Sequence, residues 1–148
     1  MIGLSMEQTL HRLGVAHDLG IRMFQISLPS WGALDEGEAL LFFQTVCGAF
    51  PDSQFLHYNL PRAGRILRGA EYATIAEAVP NLVATKNSST DYARTADLLI
   101  NAPQLQHFLL ERNFRSAVQL ANARCCAVTT RCFPVLRGSS SRPDNGAI

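Results

Sequence analysis

At 148 residues the chain is long enough to bury one core and too short for two typical domains. Thirteen basic residues against twelve acidic ones leave a net charge of +1, which removes any electrostatic case for nucleic acid, a membrane surface or a polyanionic substrate. A neutral or small anionic partner is expected instead. No run reaches the length of a membrane span and no basic stretch leads into an apolar one at the start, so a soluble, cytoplasmic protein is expected. Cys47, Cys125, Cys126 and Cys132 form neither a CxxC pair nor a secreted framework, and reduced thiols are the default.

In chain order, the helical spacing of Leu10, Leu13, Ala16 and Leu19 predicts a helix over Met6 to Leu19, stopped by Gly20. The apolar run Ile21 to Leu28, closed by Pro29-Ser30-Trp31-Gly32, reads as a buried strand entering a loop. Asp35 starts an amphipathic helix through Cys47, ended by Gly48, and after the Pro51-Asp52 turn comes a strand at Gln54 to Leu60. The pattern repeats: a helix over Gly69 to Ala78, a strand over Leu82 to Lys86, and Ser88-Ser89-Thr90-Asp91 capping a helix over Tyr92 to Ile100. It continues with a strand at His107 to Leu110, a helix at Asn113 to Ala123 and a strand at Cys125 to Thr129. The polar stretch from Arg137 to the end is read as a disordered tail, leaving 1–136 as the folded part.

Five strands alternating with helices call for a parallel α/β sheet with right-handed crossovers, either doubly wound or closed into a (β/α)8 barrel. No GxGxxG or GxxxxGK[ST] follows any strand, which leaves the usual nucleotide sites of open sheets unsupported. A barrel instead gathers the C-terminal ends of its strands at one mouth, where active sites of that fold lie.

Lys86 is the single lysine among twelve arginines, and it ends an apolar strand. An amine at such a position is a candidate for carbonyl chemistry, because desolvation favours its neutral, nucleophilic form; a solvated strand-end charge is the alternative. Tyr58 ends the preceding strand, 28 positions earlier, so one βαβ repeat brings phenol and amine to the same rim. The pair suggests a Schiff-base lysine with a tyrosine as proton shuttle.

Tyr58-Asn59-Leu60-Pro61, followed by Val83-Ala84-Thr85-Lys86-Asn87-Ser88-Ser89-Thr90-Asp91, resembles the YNxP and xxxxKxxxxD motifs of the dihydrodipicolinate synthase and N-acetylneuraminate lyase family. The resemblance covers roughly Leu4 to Leu136. It implies a (β/α)8-barrel class I aldolase or lyase, with Lys86 binding pyruvate or another 2-keto acid as an imine. It also implies that Tyr58 relays protons and that an aldehyde is the second reactant. No metal or organic cofactor is implied, and a homo-oligomer, dimer or tetramer, is. Thr85 and Ser88 could steer the imine through hydrogen bonds, the alternatives being a surface hydroxyl and a helix cap.

Where the synthases carry an arginine five residues after the tyrosine, this chain has Ala63, flanked by Arg62 and Arg65. Either could engage a carboxylate by a shift of register, and solvated loop arginines are the alternative. Trp31 stands where synthases have the second of two tyrosines, and an indole cannot replace a phenol in proton transfer. The matching region corresponds to about strands 4 to 8 of the barrel, so a truncated barrel is expected, without the glycine-rich, threonine-bearing segment that holds the keto acid's carboxylate. A non-catalytic remnant, or a scaffold that binds keto acids, is the second reading. His57 and His107 lie within strands and read as structural, Asp35, Glu36 and Glu38 as a helix start, and Glu111 as a residue facing the mouth.

Overall fold

A computed structural model describes residues 3–113, Ala117 and the backbone of Ala123–Cys125. Its elements run α1 (Met6–Asp18), β1 (Met23–Ile26), α2 (Glu36–Gly48), β2 (Gln54–Asn59), a short 3-10 turn (Pro61–Ala63), α3 (Gly69–Ala78), β3 (Leu82–Asn87), α4 (Tyr92–Asn101), β4 (Gln106–Leu109) and β5 (Ala123–Cys125). The strands form one parallel sheet in the order β1-β2-β3-β4-β5. Strand order that follows chain order, with crossovers of one hand, puts every connecting helix on the same side of the sheet. A doubly wound sheet would reverse its order at a switch point, and this one does not.

Local chemistry sets the helix ends. Ser5 accepts from the Gln8 amide to open α1, and Asp35 and Glu38 form a reciprocal capping box at α2. Asp91 caps α4 through the Ala93 amide. At the start of α3, Gly69 donates its N–H to Asp97 of α4, and a Cβ there would lie 2.3 Å from the Asp97 carbonyl oxygen. The two helices therefore approach each other at a position that only glycine fits.

The helix-covered face holds the core. Phe24, Ile26, Phe55 and Leu82 from the strands meet Leu13, Phe42, Phe43, Val46, Tyr72, Ile75 and Leu98 from the helices, all nearly inaccessible to solvent. Each large side chain removed from water here contributes about 1.5–3 kcal/mol before entropy is counted. The opposite face carries Met23, Gln25, Gln54, Leu56, Tyr58, Lys86, Gln106 and Phe108 and has no covering layer among the described residues. It encloses a shallow hollow of about 390 Å3 floored by Leu56 and Ala84.

An irregularity in β3 decides which of its residues reach that open face. Phe55 pairs with Leu82, but Leu56 pairs with Ala84, so Val83 is an extra residue in the ladder. Because side chains alternate, that insertion turns Leu82 toward the helices yet leaves Ala84 and Lys86 on the open face, with Thr85 and Asn87 on the helix face.

Several boundaries differ from the sequence reading. β1 starts at Met23 rather than Ile21, because the Ile21 amide is taken by the Ala16 carbonyl and Arg22 spends its guanidinium on the His17 and Ile21 carbonyls that close α1. β5 starts at Ala123, the residue at which the last helix was expected to end. The expected strand positions from Cys126 to Thr129 and the tail from Arg137 lie outside the described residues.

Candidate active site

At the C-terminal ends of β2 and β3, Tyr58 and Lys86 are register partners on the open face. The Lys86 ammonium nitrogen sits over the Tyr58 ring, 4.2 Å from its centroid, which is cation–π distance. The phenol oxygen is 2.9 Å from the Ser88 hydroxyl, either group being able to donate. Both side chains are half-buried, so stem and ring are packed while amine and phenol meet the open face. Phe108 of β4, the register partner of Lys86 on its other side, supplies an apolar wall.

A buried polar layer holds these strand ends from behind. Asn59 donates from Nδ2 to the Leu67 carbonyl and to Asn87 Oδ1, both at 3.0 Å, and accepts the Leu67 amide on Oδ1. Asn87 donates to Thr85 Oγ1 at 2.8 Å. His107 Nε2 lies 2.9 Å from the Ala102 carbonyl, which can only accept, so Nε2 carries the proton. Its Nδ1 must then accept from the Thr85 hydroxyl at 2.7 Å. Burial pushes the His107 pKa down, against a smaller opposite effect of its carbonyl bond, and keeps the ring in this neutral form. The chain of donors is thus fixed in one direction, from Leu67 through Asn59, Asn87 and Thr85 to His107.

His57, beneath Tyr58 on the helix face, shares a 2.6 Å hydrogen bond between Nδ1 and the Tyr72 hydroxyl and packs against the edge of Phe43. Its Nε2 has no partner. Burial lowers its pKa to about 3 and raises that of Tyr72 well above the usual phenol range. Both strand histidines are therefore structural, as their position in the sequence indicated.

The structure places the sequence-predicted residues unevenly. Lys86, Tyr58 and Ser88 come together at one rim. Thr85 does not join them: it is fully buried on the opposite face, with its hydroxyl shared between His107 and Asn87. Arg62 is exposed on the turn after β2, at the same end of the sheet. Arg65, its alternative, is not a solvated loop residue, because it pairs with Glu71 and donates to the Leu34 carbonyl. Trp31 is 80% exposed. Glu111 is exposed at the first of the helical residues that follow β4.

Asn59 and Asn87 were not singled out by the sequence reading, although each directly follows a site residue. The signal was available in the repeated dipeptides Tyr58-Asn59 and Lys86-Asn87, whose alternation places one member on each face of the sheet. Among the described residues, no cluster of three or more histidine, cysteine, aspartate or glutamate side chains is placed to hold a metal ion. No helix among them is long and apolar enough to cross a membrane.

No protein-family model matches the sequence, and no curated protein matches it. Solved structures do. YagE from E. coli K12, a prophage protein of the dihydrodipicolinic acid synthase family in complex with pyruvate, is similar with a TM-score of 0.74 and 17% identity, over 83% of this chain and 44% of that one. The synthase from Cyanidioschyzon merolae with lysine bound gives 0.72 at 20% identity, over 83% and 43%. That from Thermotoga maritima gives 0.73 at 18%, over 86% and 45%. The chain spans less than half the length of these structures. What is shared at such identities is the fold: the five parallel strands and their helices correspond to a partial (β/α)8 barrel of the dihydrodipicolinate synthase type.

Proposed function

We propose that this chain belongs to the dihydrodipicolinate synthase and N-acetylneuraminate lyase family and acts as a class I aldolase or lyase on pyruvate or another 2-keto acid. The observation that carries the reading is the register pairing of Tyr58 with Lys86, amine over ring, at the end of the sheet where barrel active sites lie. The pyruvate in the YagE structure, whose fold this chain shares, supports the substrate class.

In this reading the Lys86 amine attacks the keto carbon, and the carbinolamine loses water to give a protonated imine. Loss of a proton from the adjacent carbon forms an enamine, whose carbon attacks an aldehyde; cleavage runs the same steps backwards. The imine itself accepts the electron pair, so no cofactor is required. Tyr58, hydrogen-bonded to Ser88, is the group placed to carry protons to and from the carbinolamine and the aldehyde oxygen. Arg62 is the exposed cation at the same rim and is proposed to meet a substrate carboxylate.

The test is reduction with borohydride in the presence of millimolar pyruvate, followed by peptide mass spectrometry. A reduced adduct confined to the peptide bearing Lys86, and lost in Lys86→Arg, supports the reading; an unmodified lysine overturns it. A second reading, a scaffold without turnover, is favoured by the open face that the sheet presents among the described residues. It predicts no cleavage or addition with any aldehyde even where an adduct forms.

A further inference from the structure

A second cavity lies on the helix side of the sheet, behind the strand ends that carry Tyr58 and Lys86. It encloses about 460 Å3, the size of a small-molecule site. Ile66 and Leu67 from the loop after β2, with Ala93 and Leu98 from α4, make its walls apolar. Its polar groups are mostly unspent donors. Arg68 and Arg94 line it; among the described residues Arg68 forms no ion pair, and Arg94 meets only the exposed Asp91, through Nε at 3.5 Å. Asn87, buried where it lines the cavity, carries two hydrogens on Nδ2 and spends one of them on Thr85. The Ser89 hydroxyl accepts the Asp91 amide and keeps its own proton to donate. Asp97 is the one carboxylate on the lining among the described residues, and both its oxygens are taken: Oδ2 by the Gly69 amide and Oδ1 by the Asn101 side chain, each at 2.7 Å.

From this arrangement we infer a second ligand site, separate from the Lys86 rim, for a small monocarboxylate with an apolar body. Two guanidinium groups against one carboxylate leave a single excess positive charge on the lining, which one anionic group balances. A guanidinium fork meets a carboxylate through two parallel hydrogen bonds, and the Asn87 hydrogen and Ser89 hydroxyl add neutral donors. The apolar walls then remove the rest of the molecule from water. A cation would face two guanidinium groups and a carboxylate already spent, while an uncharged apolar molecule would leave the donors without partners. Cavity and rim lie on opposite faces of β2 and β3, Asn59 and Asn87 on one side, Tyr58 and Lys86 on the other. Ala117, from the chain beyond β4, packs with Leu99 and Leu109, which take no part in the lining.

Nuclear magnetic resonance titration with sodium hexanoate tests this, with acetate and hexanol as comparators. Hexanoate should shift the Asn87 side-chain amide and the backbone amides of Ala93 and Arg94, saturably and at millimolar concentration. Acetate lacks the apolar body and hexanol the charge, so each should bind more weakly by about tenfold or more. Arg68→Gln, a change at an exposed position, should weaken hexanoate by about tenfold or more, the worth of a charge-assisted hydrogen bond. Lys86→Met should leave hexanoate binding unchanged. Shifts confined to Tyr58, Lys86 and Ser88, and lost in Lys86→Met, overturn the proposal. So do equal binding of hexanoate and either comparator, indifference to Arg68→Gln, and the absence of saturation at tens of millimolar. Cavity and rim are read at different residues, so the outcome is independent of pyruvate trapping on Lys86.

Discussion

Asn59 and Asn87 are hydrogen-bonded to each other across β2 and β3, 3.0 Å from Nδ2 to Oδ1, directly behind Tyr58 and Lys86. The pairing locks the two strand ends in register on the helix side, so the phenol and amine on the other side inherit a fixed separation. Buried amides with complete hydrogen bonding specify geometry in a way that apolar contacts do not.

The two asparagines are unequal. Asn59→Leu orphans the amide and carbonyl of Leu67 as well as Asn87 Oδ1, and should cost about 2–4 kcal/mol in urea unfolding. Asn87→Leu leaves Asn59 with both Leu67 bonds and should cost about 1–2 kcal/mol. Equal losses would contradict the network.

Tyr58→Phe removes the hydroxyl bonded to Ser88 but keeps the ring beneath the amine. Stability should change by less than about 1 kcal/mol. Trapping of pyruvate on Lys86 should slow by about a hundredfold, the usual contribution of a positioned proton donor. Ser88→Ala should give a smaller effect in the same direction.

Deleting Val83 removes the extra residue of β3 and would let Leu82 and Ala84 follow each other in the ladder, with Tyr58 still beside Lys86. The lysine would stay on the open face, because a regular ladder alternates to that same facing. The expected result is a chain that still folds cooperatively and still forms the adduct, as Val83→Ala should, and loss of the adduct in a folded deletion variant would contradict the pairing. Circular dichroism and borohydride trapping report the two outcomes.

Acid should destabilise the fold through its buried histidines. His57 titrates at about 3 in the folded chain against an ordinary value of 6.5, and His107 is shifted the same way. Between those values the unfolded chain binds more protons, so the histidine contribution is complete above about pH 6.5 and falls as pH drops toward 3. The slope is about 1.4 kcal/mol per pH unit for His57, and His107 adds to it in the same direction. His57→Gln, whose amide can still meet the Tyr72 hydroxyl, should flatten it, as read from urea midpoints between pH 7 and pH 4.

Cys47 is fully buried in α2, and burial pushes its thiol up to about 12. Alkylation at Cys47, followed by mass spectrometry at pH 8, should be negligible in the native chain and immediate in urea. Labelling at equal rates would show that α2 opens readily.

Much of this was legible in the sequence. Helix starts at Asp35 and Asp91, the stop at Gly20 and the alternation of strands with helices follow from local chemistry, and the rim shared by Tyr58 and Lys86 follows from their spacing. Facing was harder to read. Thr85 and Lys86 are neighbours in sequence and lie on opposite faces, and Val83, indistinguishable from any other strand valine, determines which of them stands beside Tyr58. Arg65 looked like a free loop cation because its partner, Glu71, lies on the next helix.

Among the described residues the sheet is covered on one side, which divides the labour between its two surfaces. Residues facing the helices decide whether the chain folds at all, and the asparagine layer among them carries the alignment of the rim. Residues such as Leu56 and Phe108 stand outside that core. Reactive geometry and closure of the site are thus separable properties of this chain, one written on each side of the same five strands.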